Sequence, residues 1–175
     1  MNSALATKIE ANRKEFERLL RDSDYIDVRF NPINGALAAI HKEHNFDKTI
    51  GIFGIARGDY ERITLNILFE NGHKIVFESE KPDSILKNKR FEGFLDEKCF
   101  EIKAIEGIGK RNIIDKISDA GSQGAETIVL YYHNNELFDE NKIINAYNGY
   151  LKLSNSKRIK TVYYIVDDKL YKIGR

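Results

Sequence analysis

Within residues 91–105 (FEGFLDEKCFEIKAI), Glu92, Glu101 and Lys103 stand at a spacing that suits hydrolysis. Only Ile102 separates Glu101 from Lys103, so on a strand their side chains share one face while Phe100 and Ile102 take the other. The apolar face has an obvious destination in a core. Glu92 belongs to the preceding strand-like segment, and a three-residue turn at Asp96-Glu97-Lys98 is expected to bring it close to the level of Lys103 and diagonal to Glu101. Glu61, on the edge of an upstream helical stripe, could add a third carboxylate. Two or three carboxylates hold a hard cation such as Mg²⁺ at about 2.0–2.1 Å. Such a cation polarises a phosphate and acidifies a bound water, and a lysine stabilises the charge that develops. The chemistry suggested is metal-assisted phosphodiester hydrolysis by Glu61, Glu92, Glu101 and Lys103. The plainer alternative is a salt-bridge ladder on a solvated sheet face, in a catalytically silent binding module.

Other residues carry weaker signals. His41 and His44 in AIHKEHNFD are three apart and would face one way on a helix. Without an acidic third ligand they make a poor metal site. They could serve as acid and base of a metal-independent ribonuclease, with Lys103 as charge stabiliser, or simply pack or cap. His73 and His133 are isolated. Gly107-Ile108-Gly109-Lys110-Arg111 resembles a phosphate-cradling loop at a helix start. It lacks the Walker spacing, which removes an NTPase reading; Lys110 and Arg111 could still grip a substrate phosphate, or the loop is only a connection. Residues 150–175 hold seven basic and two acidic side chains, with Tyr163, Tyr164 and Tyr171 interleaved. That mixture suits looped RNA, although strand alternation must bury some of the tyrosines. Cys99 reads as a buried structural thiol.

The elements that must position these residues follow from periodicity. Leu5, Ile9, Phe16, Leu19 and Leu20 predict a helix over 3–20, with Ser3 as its cap. Residues 22–58 are rich in Asp, Asn and Gly and read as mostly irregular, with a short helix at 35–42. A helix from residue 59 ends at Asn71-Gly72; strands follow at 74–78, 91–95 and 99–105. A helix at 111–122, a buried strand at 127–132, a helix around 143–151 and strands at 161–166 and 169–173 complete the chain. The expected class is α/β: a mixed sheet with helices on both faces. Residues 1–58 would form an N-terminal helix and a linker or docking segment, and 59–175 the core domain.

Composition narrows the classes. The chain has 175 residues, 42% hydrophobic and 31% charged, which excludes a disordered or low-complexity protein. No apolar run approaches the roughly 18 residues of a membrane span. The N-terminus lacks the apolar block of a signal peptide, so a soluble chain without its own export signal is expected. One cysteine excludes an internal disulfide framework. Net charge is +1, unlike a non-specific nucleic-acid coat protein; acidic metal ligands would offset basic binding residues in that total.

Pro82-Asp83 followed by Glu101-Ile102-Lys103 resembles the signature of the PD-(D/E)XK nucleases. The predicted order of helix, three strands, helix and strand is similar to that superfamily's restriction-endonuclease-like core. More narrowly, NPINGALAAIHKEHNFD (31–47), DYERITLNILFENGHKIVFESE (59–80), FEGFLDEKCFEIKAI (91–105) and SDAGSQGAETIVLYY (118–132) resemble the C-terminal tRNase toxin domains of contact-dependent growth inhibition proteins, which are also found attached to phage head morphogenesis proteins. The resemblance implies a toxin nuclease cutting tRNA with Mg²⁺ or Mn²⁺ in the cytosol of a target cell. It also implies a cognate immunity protein and a parent delivery or capsid protein. Glu61 would be the acidic residue of the first core helix, and Glu101 and Lys103 the E-x-K pair. The second metal ligand is either Glu92, on the paired strand, or Asp83, the literal aspartate of the signature. Gln123 takes the place where many members put a glutamine or basic residue near the substrate; a helix-end surface amide is the alternative.

Overall fold

The computed structural model describes residues 3–79, 81, 91–107, 109, 111–153 and 158–174. It is a mixed α/β structure built on one eight-stranded sheet. The strands are β1 (Tyr25–Phe30), β2 (Leu37–His41), β3 (Lys74–Phe77), β4 (Gly93–Leu95), β5 (Lys98–Ile105), β6 (Thr127–Tyr132), β7 (Thr161–Val166) and β8 (Lys169–Gly174). They lie side by side in chain order. The described residues hold four α-helices: α1 (Ser3–Arg21), which precedes β1, and α2 (Arg57–Glu70), α3 (Asn112–Gln123) and α4 (Glu140–Lys152), which connect strands. β2–β3, β5–β6 and β6–β7 pair in parallel across α2, α3 and α4; the other neighbours are antiparallel.

The alternation of side chains divides the core in two. Ala38, Ile40, Ile75, Phe77, Phe100, Ile102, Val129 and Ile165 face α2, meeting Tyr60, Leu65 and Leu68. The opposite face is covered by α3 and α4, where Ile117, Ala120, Ile143 and Tyr147 meet Ile128, Leu130, Val162 and Tyr164. On that face α1 also buries Leu19 against Leu37, Ala39 and Val76. Leu20, counted in the expected stripe of α1, is instead 57% exposed.

From residue 59 onward the element order is the expected one. Residues 22–58 correct the expectation: they contain β1 and β2, and the helix expected at 35–42 is a strand. Residues 36–40 are wholly buried, with alternate side chains against α1 and α2. A strand covered on both faces shows no polar alternation, and a short apolar run of good helix formers does not distinguish the two states. The β4–β5 turn is also shorter than expected. Leu95 pairs with Lys98, so Asp96 and Glu97 alone make the turn, both at positive φ (46° and 68°). That conformation matches the right-handed strand twist of a two-residue hairpin loop. Of the interleaved tyrosines, Tyr163 and Tyr164 are buried, while Tyr171 stacks on Tyr164 and remains 42% exposed; nearby, Tyr150 accepts hydrogen bonds from the Arg158 and Ile159 N–H groups. Cys99 is half-buried beside the α3–α4 core. Among the described residues, no helix is long and apolar enough to cross a membrane.

Candidate functional site

The site forms where strand pairing becomes incomplete. β4 is three residues long and pairs with β5 only through Lys98, Cys99 and Phe100. From Glu101 onward, β5 has β6 as its one strand neighbour among the described residues. The sheet is therefore open beside the second half of β5. A cavity of about 610 Å³ lies there, lined from one face by Tyr60 and Glu61 of α2 and from the other by Lys116, Asp119 and Gln123 of α3. Glu92, Glu101 and Lys103 contribute from the hairpin, and residues 45–49 close a further side.

Just outside β2, His44 is fixed from several directions. Its ring stacks on Phe77 (centroids 4.7 Å apart, 15° between planes) and meets the Phe46 ring edge-on at 4.6 Å. The segment bearing it is tied down by α2. The Gly58 N–H donates to the Asp47 carbonyl at 2.7 Å, and a Cβ on Gly58 would lie 2.8 Å from Phe46 Cβ, so only glycine allows this approach. His44 Nδ1 is 2.8 Å from the Glu78 carbonyl oxygen. A carbonyl only accepts, so Nδ1 carries the hydrogen and donates. Nε2 then faces two carboxylates, with Glu61 Oε2 and Glu92 Oε2 each 3.4 Å away. The His44 side chain is 0% exposed. One donor atom from each of the three residues lies within 4.8 Å of the others.

The two carboxylates are placed by regular structure. Glu61 sits on the buried side of α2, one turn before Thr64 and Leu65 and two before Leu68. Glu92 immediately precedes β4. Its carbonyl accepts from Glu78 N–H at 2.9 Å and its N–H donates to Phe100 at 3.0 Å. These bonds set Glu92 beside Phe100, the register partner of Gly93, and not at the level of Lys103 as the longer turn implied. Gly93 is obligatory: at φ 154° an added Cβ would come 2.0 Å from the Val76 carbonyl oxygen. On β5, Lys103 Nζ donates to Glu101 Oε1 at 2.7 Å, with the carboxylate nearly buried and the lysine 21% exposed.

Charged groups around the cavity act on one another. Burial pushes the Lys116 ammonium below its usual range, aided by the Lys103 and Arg57 charges and opposed by Glu106. Burial acts to raise the Asp47 carboxyl, but hydrogen bonds from Thr49 and the charges of Arg57 and Lys103 outweigh it and hold Asp47 below the usual range. Behind His44, Glu78 is pushed up by burial, while the Tyr25 hydroxyl near both of its oxygens (2.9 and 3.0 Å) acts in the opposite direction.

Of the residues expected from sequence, Glu61, Glu92, Glu101, Lys103 and Gln123 all reach this cavity. Gln123 is the last residue of α3, and its buried Oε1 has no hydrogen-bond partner among the described residues. His41 and His44 do not act as a helical pair. His41 ends β2, its Nδ1 accepts from the Glu43 N–H at 3.1 Å, and it does not line the cavity. His44 does gain acidic neighbours, which the sequence argument denied it. They come from α2 and from the residue just before β4, 17 and 48 positions away, and no local pattern marks them. The available signal is the place of Glu61 among Tyr60, Thr64, Leu65 and Leu68 on the buried side of α2. Arg111 is exposed, pairs with Asp115 at 3.6 Å and borders a different depression between α3 and α4. Pro82, Asp83 and Lys110 lie outside the described residues.

The donor set suits a divalent cation. An imidazole nitrogen fixed by a backbone carbonyl, facing two carboxylates, is a common ligand arrangement with its outer hydrogen bond in place. No family model, curated protein or solved structure matches the chain.

Proposed function

We propose that the chain is a metal-dependent endonuclease of the PD-(D/E)XK type, hydrolysing phosphodiester bonds, with tRNA as its substrate. The observation that carries the reading is the meeting of two groups in one cavity. The Glu101–Lys103 pair opens onto the same space as the converging atoms of Glu61 and Glu92. The order α2, β3, β4, β5, α3, β6 supports the restriction-endonuclease-like core, with Glu101-Ile102-Lys103 on its third strand. The choice of tRNA rests on the resemblance of residues from about Asn31 to Val166 to contact-dependent growth inhibition tRNase domains. An immunity protein and a parent delivery or capsid protein rest on the same resemblance.

Glu61 and Glu92, with Glu101 beside them, would hold Mg²⁺ or Mn²⁺. Such an ion, when bound, supplies Lewis acidity to a phosphate oxygen and to a water. The chain's own groups do the rest. Lys103 stabilises negative charge developing on the phosphorus oxygens. The Gln123 amide orients the attacking water. Lys48, Arg57 and Lys116, which line the cavity, receive the flanking phosphates. Water oxygen bonds to phosphorus and gives up one proton to solvent, the bond to the leaving ribose oxygen breaks, and that oxygen takes up a proton from solvent.

The test incubates the purified chain with total tRNA, single-stranded RNA and duplex DNA, each with Mg²⁺, Mn²⁺ or EDTA, beside Lys103→Ala. Metal-dependent cutting of tRNA that the substitution abolishes is the expected result. Cutting that survives EDTA moves the chemistry to a metal-independent ribonuclease. A folded chain that cuts nothing leaves the binding module.

A further inference from the structure

The acidic ligands expected from sequence describe a site for a hard, oxygen-seeking cation. The structure adds an imidazole to them. His44 cannot turn away: Phe77 and Phe46 pack on its ring, and the Glu78 carbonyl accepts from Nδ1 at 2.8 Å. With that proton committed, Nε2 is left facing Glu61 Oε2 and Glu92 Oε2, each 3.4 Å distant. The Nε2 lone pair and one oxygen from each carboxylate lie within 4.8 Å of one another, a donor set that one divalent cation would satisfy.

The ligand chemistry favours a particular metal. Mg²⁺ takes oxygen ligands and keeps much of its water shell. Imidazole nitrogen strengthens binding of first-row transition ions in the order Mn²⁺, Fe²⁺, Co²⁺, Ni²⁺. We infer that His44 Nε2 is a metal ligand, and that it makes the His44–Glu61–Glu92 site selective for a divalent first-row transition ion over Mg²⁺. The inference deepens the nuclease reading and rests on it for its catalytic meaning, but it concerns binding and is tested by binding. His44 enters in place of one all-oxygen ligand. Glu101, engaged by Lys103 at 2.7 Å, is then free of the need to be the third protein donor.

Mn²⁺ is the probe, because its unpaired electrons report the nuclei bonded to it. Calorimetric titration of the full chain with MnCl₂ and with MgCl₂ measures selectivity, and pulsed electron paramagnetic resonance of the Mn²⁺-loaded chain detects a coordinated ¹⁴N. The wild-type chain should bind Mn²⁺ at least about tenfold more tightly than Mg²⁺ and show the ¹⁴N modulation. His44→Gln should lose the modulation and bring the two affinities within about threefold. Glu61→Gln, which leaves the imidazole intact, should weaken Mn²⁺ binding about 10- to 100-fold yet keep the modulation at saturating metal. Circular dichroism confirms folding; if His44→Gln does not fold, the wild-type and Glu61→Gln spectra decide. Equal affinities, no metal binding, or Mn²⁺ bound without ¹⁴N modulation overturns the inference. In the last case tRNA cutting with Mg²⁺ would leave the nuclease reading standing, whereas a ¹⁴N-coupled Mn²⁺ site on a chain that cuts nothing would overturn only the nuclease reading.

Discussion

His73 enters β3 at one end, and His44 packs against Phe77 at the other. Both histidines stand beside carboxylates. His73 Nδ1 is 2.6 Å from Asp96 Oδ2, and the other Asp96 oxygen accepts the Lys74 N–H at 3.0 Å. The Asp96 side chain is 44% exposed, so water screens the pair and the arrangement serves to close a hairpin turn. His44 is fully enclosed and faces two buried carboxylates. There the same residue types bring one donor atom each within 4.8 Å of one another, an arrangement a shared divalent cation would satisfy. The difference teaches that a histidine–carboxylate pair acquires chemical meaning from burial and from the number of like charges around it. The rest of the sheet agrees. All six residues of β6 are buried, and nearly all of them are apolar, whereas His44, Glu61, Glu78, Glu92 and Glu101 are all buried around the ends of β2, β3 and β4 and the middle of β5. One half of the sheet is apolar packing; the other buries a cluster of ionisable side chains.

The contrast can be broken most severely through Lys103. Lys103→Ala should lower tRNA cleavage about 10²- to 10³-fold and, by removing a charge-assisted hydrogen bond from the nearly buried Glu101 carboxylate, lower the unfolding free energy by about 1–3 kcal/mol. His73→Ala should leave cleavage unchanged. Comparable cleavage in the two variants, measured by gel assay, would erase the distinction between the ends. Next in size is metal linkage. Mn²⁺ at about a hundredfold over its dissociation constant should stabilise the wild-type chain by about 2.7 kcal/mol. Thermal unfolding should show that gain intact in His73→Ala and largely absent in Glu92→Gln; equal gains in both would move the metal away from His44.

Gly93→Ala sharpens the role of the hairpin that carries Glu92. Its Cβ would meet the Val76 carbonyl oxygen, so urea denaturation should register a loss of about 1–3 kcal/mol or more. A neutral result would mean that β3 and β4 pair differently. The smallest effect belongs to the exposed pair. Burial acts to raise the Asp96 carboxyl, but His73 and the Lys74 N–H outweigh it and hold it below the usual aspartate range. A carboxylate with a lowered folded pKa stabilises fully above its unfolded value, near about 3.9, and that contribution fades as pH falls through the lowered one. Asp96→Ala should therefore cost about 1 kcal/mol at neutral pH, with the gap from wild type closing in strong acid. A gap that widens in acid contradicts the hydrogen-bonded carboxylate.

Much of this fold is legible in the residues. The stripe on α3, the apolar run TIVLYY and the Asp167-Asp168 turn each carry a local pattern strong enough to name the element. The alternation of β5 likewise placed Glu101 and Lys103 on one face. β2 was not legible, because LAAI lies between helices on both faces and so lacks the polar alternation by which a strand is recognised. His44 was misread for a related reason. Its neighbours in sequence mark nothing, and its partners arrive from separate elements.

The sequence by itself determined which residues could do chemistry on β5 and α2, and the helix and strand order from residue 59 onward, because both depend on periodicities of two and 3.6 residues. Only the tertiary structure decided that β4 begins at Gly93, so that among the described residues the second half of β5 pairs with β6 alone. It also decided that His44, and not His41, meets Glu61 and Glu92. Those outcomes depend on contacts between elements far apart in the chain, fixed by close approaches such as Gly58 on Asp47 and Gly93 on Val76. A local pattern has no means of specifying such contacts, because the free energy that selects them is released only when the elements pack.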